Sequence, residues 1–407
     1  MIRGNNLNDG TNVGFGYVNV NNVLTNSRTN IGARLNAIIT QLLPVTSWSI
    51  ASSHSGLSNI ALKELGKTLQ MKRVGYIFEE MVSVENLKAA YREAALCKSK
   101  RKKQIQGFGK RLDFNANRIH HKLVSGTWNI FGYRKFIKKD GPKERTIHWN
   151  PCFADNVVQH AIARTAGKVL INSLIEDTYA GIPGRGIHKG VKRMKKFISE
   201  YTPEQNLYIL KMDVKKFYQS IDGECLKQMI TWKIKDPRVL DIFNKIIDSH
   251  SPGLPIGNYL SQLLANYYLS FYDHYIKSRG IRHYARYCDD IVILSSNKSE
   301  LRDVLEATKE IFKTVGLQLK ENYQIYPIER NNGLDFLGYV FTRTEVRMRK
   351  SIERKFRAAA AAFQQTGSAK ALRTLSSYWG WIKWLSHGNR FWNAFFTLHI
   401  REMNGGL

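Results

Sequence analysis

Apolar positions along this chain follow two periods that take turns. Runs rich in β-branched and aliphatic residues stand at 207–213 (LYILKMD) and 284–294 (YARYCDDIVIL), the composition of strands buried in a core. Within the second run, Tyr284, Tyr287 and Ile291 to Leu294 flank Asp289 and Asp290, predicting strand, tight turn, strand with both acids at the tip. Residues 123–149 alternate and carry Trp128, Phe131, Tyr133 and Phe136, predicting one or two hairpins with a turn at Gly141-Pro142. Shorter strands are predicted at Leu317 to Lys320 and over 333–341 (GLDFLGYVF). Helical spacing covers 84–97, where Val84, Leu87, Ala90, Tyr91, Ala94 and Ala95 share a face. It returns at 153–176, 190–200, 223–231, 259–277, 298–315 and from Lys350 onward, with an apolar segment around 238–248. Gly316 is placed as a left-handed helix stop.

The first residues do not share this order. Ten Asn fall within the first 36 positions, with Gly10, Gly14, Gly16 and Gly32 between them. Residues 1–70 are read as a loosely ordered leader, and Met71 as a candidate start of the regular region.

Charge changes the picture further. Lys and Arg number 62 against 33 acids, a net charge of +29. Residues 1–70 hold five of those cations and two acids, so nearly all of the excess lies beyond them. Such an imbalance calls for a polyanion. No apolar run is long enough to span a bilayer and no secretory signal is present, so nucleic acid is favoured over a membrane. Cation clusters follow at Lys98 to Lys103, Lys110, Arg111, Arg118 and Lys122, and beside the predicted hairpin at Lys138, Lys139, Lys143 and Arg145. The cysteines at 97, 152, 225 and 288 are widely spaced, which speaks against a zinc knuckle or a disulfide framework and for free thiols in a reducing cytoplasm.

The candidate chemistry lies in the acids. An Asp pair alone is a common turn element. Held between apolar strands, two adjacent carboxylates repel and call for a counter-ion, so a divalent metal is the stronger reading. A third acid, Asp213, closes the apolar strand 207–213 and is followed by Phe217, Tyr218, Ser220 and Ile221. The loop Ser251-Pro-Gly-Leu-Pro-Ile256-Gly257-Asn258 opens a helix with Ser261 and Gln262 in its first turn, where free N–H groups suit a phosphate or a sugar.

In this order the segments resemble reverse transcriptases. Tyr287-Cys288-Asp289-Asp290 has the Y-x-D-D form of that family's palm hairpin, and Asp213 with Phe217 is similar to its first acidic motif. Leu254-Pro255-Ile256-Gly257 is similar to the loop that is commonly LPQG, and Lys320 and GLDFLGY to the later palm motifs. The likeness covers about residues 72–400. It implies an α+β right-hand polymerase, with fingers over 72–206, an antiparallel palm over 207–342 and a helical thumb over 343–407.

The family's chemistry is attack of a 3′-hydroxyl on the α-phosphate of a deoxynucleotide. The resemblance implies two Mg²⁺ ions, with Mn²⁺ as a substitute, held by Asp213, Asp289, Asp290 and the Val214 carbonyl. It gives Arg145, and more weakly Lys143, the triphosphate; Phe217 the steric gate against a 2′-hydroxyl; Lys320 a proton donor near pyrophosphate; and Ile256, Gly257 and Gln262 the nucleotide.

A narrower resemblance, to reverse transcriptases of diversity-generating retroelements, rests on Ile256 in place of Gln, on Ser261-Gln262, on the stretch from Met71, and on Ile182-Pro-Gly-Arg-Gly-Ile-His188. It implies error-prone copying at template adenines, an RNA template with a cDNA or primer, an accessory variability determinant protein as partner, and a bacterial or phage gene. The Asn-rich leader then has two readings, a translated template repeat or a genuine extension. Group II intron and retron enzymes are the alternatives within the superfamily, and an RNA-binding protein with a silent polymerase fold the alternative outside it.

Overall fold

The computed structural model describes residues 73–96, 102–140, 143–330 and 333–388. The leader over 1–70, most of the Lys98 to Lys103 run, the Gly141-Pro142 turn and Trp392 lie outside them.

The described residues form three antiparallel sheets set among helices. Strands β1 (Arg134–Asp140) and β2 (Lys143–Trp149) make an isolated two-stranded arm, with Lys138 opposite Arg145. Of the one or two hairpins expected over 123–149, only this one forms: residues 125–133 hold no strand and follow a helix over Leu112–Val124, whose Ala116, Ile119 and Leu123 recur on its buried side. The central sheet contains β3 (Tyr208–Asp213), β4 (Tyr284–Tyr287), β5 (Asp290–Ser295) and β6 (Gln324–Pro327) in the order β4-β5-β3-β6. The third sheet is a meander of β7 (Leu334–Phe336), β8 (Tyr339–Phe341) and β9 (Val346–Met348).

The apolar runs of β3 and β5 are explained by the two cores they separate. Leu210, Met212, Ile291 and Ile293 pack into the large helical core, while Ile209, Val292 and Leu294 pack with Phe336, Tyr339 and Phe341 on the other side. A strand covered on both faces reads as continuously apolar. Side-chain caps begin several of the surrounding helices, among them Ser83, Asp222 and Asn297 accepting from the first-turn N–H groups.

Further expectations are revised, among them the helix over 153–176, which is two, Phe153–Arg164 and Ala166–Ile171. The stretch 333–341 is the hairpin β7–β8 and not one strand, because Leu337 (φ 56°) and Gly338 (φ 84°) both turn left-handed, as tight two-residue turns require. Leu317 to Lys320 forms a single bridge, Val214 to Leu319, rather than a strand. The helix over 259–277 is two, Tyr259–Tyr268 and Ser270–Ser278, because Leu269 leaves helical angles (φ −88°, ψ 0°). After β9 the chain is helical over Lys350–Thr366, Ala369–Ser377 and Trp379–Ile382. Trp381 and Trp384 pack against the core beneath the third sheet, as core rather than stacking platforms.

Candidate active site at an acidic turn

The register of the central sheet brings the acids together. Asp213, the last residue of β3, lies opposite Asp290, the first residue of β5, and Asp290 in turn pairs with Tyr287. The tip is therefore Cys288-Asp289, with Cys288 left-handed at φ 58°. The Val214 N–H donates to the Asp289 carbonyl at 3.3 Å, fastening the end of β3 beneath the turn.

The three carboxylates differ in environment. Asp289 is half-buried, and its carboxyl is held above the usual range by burial and by the Asp213 carboxylate, with which it shares a hydrogen bond. Burial pushes Asp290 up to about 7, with Lys211 opposing and Asp213, Asp289 and Asp335 adding to the rise. One Asp290 oxygen, Oδ1, is buried without a hydrogen-bond partner; the other lies 3.9 Å from Lys211 Nζ. Lys320 donates to Asp213, and its backbone N–H reaches the Asp213 carbonyl at 2.8 Å. Among the described residues no three carboxylate, imidazole or thiol side chains converge as a ready metal set. The donor chemistry nonetheless fits a hard divalent cation, which takes carboxylate oxygens, and the unsatisfied Asp290 oxygen is the group such a cation would meet.

Around the acids, one loop joins the other predicted residues. The Leu254 N–H donates to the Tyr218 carbonyl at 2.8 Å, and the His148 N–H of β2 donates to the Ile256 carbonyl at 2.7 Å. Gly257 (φ 107°) permits this approach, since a Cβ there would lie 2.9 Å from the His148 carbonyl oxygen and 2.8 Å from Ile147. The loop thus ties the turn after β3 to the arm that carries Arg145. Arg145 is exposed on β2, and the Lys143 side chain lies outside the described residues. Phe217 is 3% exposed and packs in the large core beside Tyr218. Gln262 lies against Gly181, so closely that a Cβ there would come within 2.3 Å of its amide carbon.

The family-wide sequence pattern described as "Reverse transcriptase (RNA-dependent DNA polymerase)" matches residues 137–341, half of the chain. The chain belongs to the reverse transcriptase family. This reverse transcriptase is 21% identical to protein YkfC of Escherichia coli K12 over 282 residues, covering 58% of this chain and 74% of YkfC. It is 26% identical to the group II intron-encoded protein LtrA of Lactococcus lactis subsp. cremoris over 175 residues, covering 39% of this chain and only 28% of LtrA. Among solved structures, apo telomerase from Candida tropicalis aligns with a TM-score of 0.40 at 12% identity, over 84% of this chain and 79% of that one. The family activity is RNA-directed DNA polymerisation, and the mixed helix and antiparallel-sheet architecture agrees with the polymerase fold implied by the sequence. No helix among the described residues is long and apolar enough to cross a membrane.

Sequence reasoning missed the groups that hold the acids from behind. Lys211 of β3 faces Asp290, and its ammonium donates to the Asp335 carbonyl at 2.5 Å. Arg286 of β4, Asp273 and Asn266 are fully buried next to the turn. A strand of otherwise apolar residues carrying one Arg, and a helical segment carrying Asn and Asp seven positions apart at 266 and 273, were the available signals.

Proposed function

We propose that this reverse transcriptase is the error-prone polymerase of a diversity-generating retroelement, copying a template-repeat RNA into adenine-mutated cDNA. The supporting observation is Ile256, an apolar side chain in the loop tied to β2 through the Ile256 carbonyl. A Gln in that loop can hydrogen-bond to the nascent pair or the nucleotide sugar; an Ile cannot, and loss of a polar constraint lowers discrimination.

In this reading residues 72–206 are fingers, 207–342 palm and 343–407 thumb, with 1–70 a leader whose residues 1 to about 40 are a translated template repeat. Asp213, Asp289, Asp290 and the Val214 carbonyl hold two divalent ions, Mg²⁺ with Mn²⁺ as substitute, which when bound supply charge neutralisation for the attacking and leaving oxygens. Arg145, seconded by Lys143, neutralises the triphosphate carried toward the turn. Phe217 backs the sugar and excludes a 2′-hydroxyl. Gly257 lets the loop close against the arm, and Gln262 supports the nucleotide pocket from the helix start. Lys320, paired with Asp213 when no substrate is present, delivers a proton near pyrophosphate. The partners are the RNA template, its cDNA or primer, deoxynucleotides and the accessory variability determinant.

The test is primer extension on an RNA template, with the products sequenced. Wild type is expected to misincorporate chiefly opposite adenine, and Ile256→Gln to reduce that bias. Errors spread evenly over the four template bases, or a spectrum unchanged in Ile256→Gln, would remove the subtype and leave a general reverse transcriptase of the intron or retron kind.

A further inference from the structure

Behind the acidic turn sits an ion pair that the polymerase reading does not use. Arg286 and Asp273 are both 0% exposed. The guanidinium spends every donor. Nε and one terminal nitrogen meet the two Asp273 oxygens at 2.7 and 2.5 Å; the same terminal nitrogen reaches the Asn266 carbonyl at 3.0 Å, and the other reaches Asn266 Oδ1 at 3.2 Å and the Cys288 carbonyl at 2.9 Å. The backbone of Arg286 is fixed as well, along the edge of β4 away from β5. The Arg286 N–H donates to the Asp177 carbonyl at 2.9 Å, and the Tyr179 N–H donates to the Arg286 carbonyl at 3.0 Å. Thr178 and Tyr284 complete the shell by donating to Asp273.

A buried ion pair is a poor source of stability, since desolvation takes back most of the attraction. What the planar five-donor fork supplies is geometry. Here it runs from the two helices over 259–278 to one backbone oxygen of the turn, that of Cys288, whose left-handed φ is itself costly to hold. The next residue is Asp289.

We propose that Arg286 is a positioning residue, which together with Asp273 and Asn266 sets the height of the Cys288-Asp289 turn over the helices and so the place of the Asp289 carboxylate relative to Asp213. The inference rests on reading Asp289 as a polymerase carboxylate. A Lys at this position keeps the charge but cannot reach all the acceptors at once. An apolar pair of similar volume keeps the core filled and leaves the Cys288 carbonyl unheld.

The experiment uses the full chain with Arg286→Met/Asp273→Leu, Arg286→Lys, and Asp289→Ala as reference. Three quantities are read: melting temperature, kcat and nucleotide KM in primer extension, and the rate of Cys288 alkylation by N-ethylmaleimide, followed by peptide mass spectrometry without metal or nucleotide. The apolar pair is expected to melt below wild type, because Thr178, Tyr284 and Asn266 lose their buried partners, and in its folded fraction to lose kcat about 100-fold, the scale of a small misplacement of reacting groups. Its nucleotide KM should stay within about threefold. Cys288 should alkylate about tenfold faster as the turn loosens, with buried Cys225 unchanged as the check on global unfolding. Should the apolar pair not fold, Arg286→Lys carries the test and is expected to fold, with about a tenfold loss of kcat. A folded variant with wild-type kcat, or one whose loss merely follows its folded fraction while Cys288 reactivity stays fixed, overturns the positioning role. An active Asp289→Ala overturns instead the reading of Asp289 as a polymerase carboxylate.

Discussion

Gly257→Ala tests the tie between the Ile256 loop and the arm. At φ 107° the backbone is one that an L-residue rarely adopts, a strain of about 1–3 kcal/mol. The added methyl would also stand 2.9 Å from the His148 carbonyl oxygen. That oxygen belongs to β2, which is paired along its length with β1, so the neighbour has little room to yield. Strain and contact are both relieved if the loop swings away. The swing breaks the 2.7 Å bond from His148 N–H to the Ile256 carbonyl, at ~0.5–1.5 kcal/mol. The local cost is thus about 1–3 kcal/mol if the loop stays and about 0.5–1.5 kcal/mol if it swings away, while the melting temperature should fall by only about 1–2 °C per kcal/mol in a chain of this size. Activity should suffer far more, by about 10- to 100-fold in kcat/KM, because the loop that lines the nucleotide site is displaced. Gly280→Ala supplies the control: its φ of 81° is also left-handed, but nothing lies within 4 Å of the added Cβ. Primer extension and differential scanning fluorimetry on the two variants separate strain from displacement. Equal activities in the two would refute the claim that contact with β2 sets the loop.

Asp289→Ala should abolish extension while RNA binding in a filter assay stays within about twofold, since affinity for the backbone comes from the cations. Asp290 gives a pH signature. Its folded pKa of about 7 lies above the ordinary carboxylate value, so relative stability is full at low pH and is lost as pH rises through about 4 to 7. In metal-free buffer Asp290→Asn should therefore melt like wild type near pH 4 and above it near pH 8; a gap that shrinks with rising pH would contradict the burial argument. Gly338→Ala should lower the melting temperature by several degrees, because the new Cβ would lie 2.6 Å from the Trp381 ring at a φ of 84°; an unchanged melting curve would mean that the β7–β8 turn does not anchor Trp381.

Most of the central sheet was legible because β3 and β5 are apolar on both faces, a pattern few other elements produce. That pattern also fixed the two carboxylates at strand ends, and register then placed Asp213 opposite Asp290. What stayed hidden depends on choices that side-chain pattern does not encode. Leu337 adopts a positive φ that leucine rarely takes, so a hairpin looked like one strand. Leu269 breaks a helix without Gly or Pro to announce it. Strand β6 carries Gln324 and Pro327, weak strand formers, and exists because β3 offers it a free edge. Arg286 and Asp273 were passed over because charges are normally at the surface, and only three-dimensional proximity reveals that each neutralises the other.

The central position of β3 has a consequence for how the protein is made. Its inner neighbour β5 and outer neighbour β6 both follow it in the chain, so β3 leaves the ribosome with both edges open and both faces apolar. At the usual pace of synthesis about 4–16 s pass before β5 has emerged to cover one side. During that interval LYILKMD has neither of its sheet neighbours, an open strand edge of the kind that pairs with other chains, so slower translation between Asp213 and Asp290 lengthens its exposure.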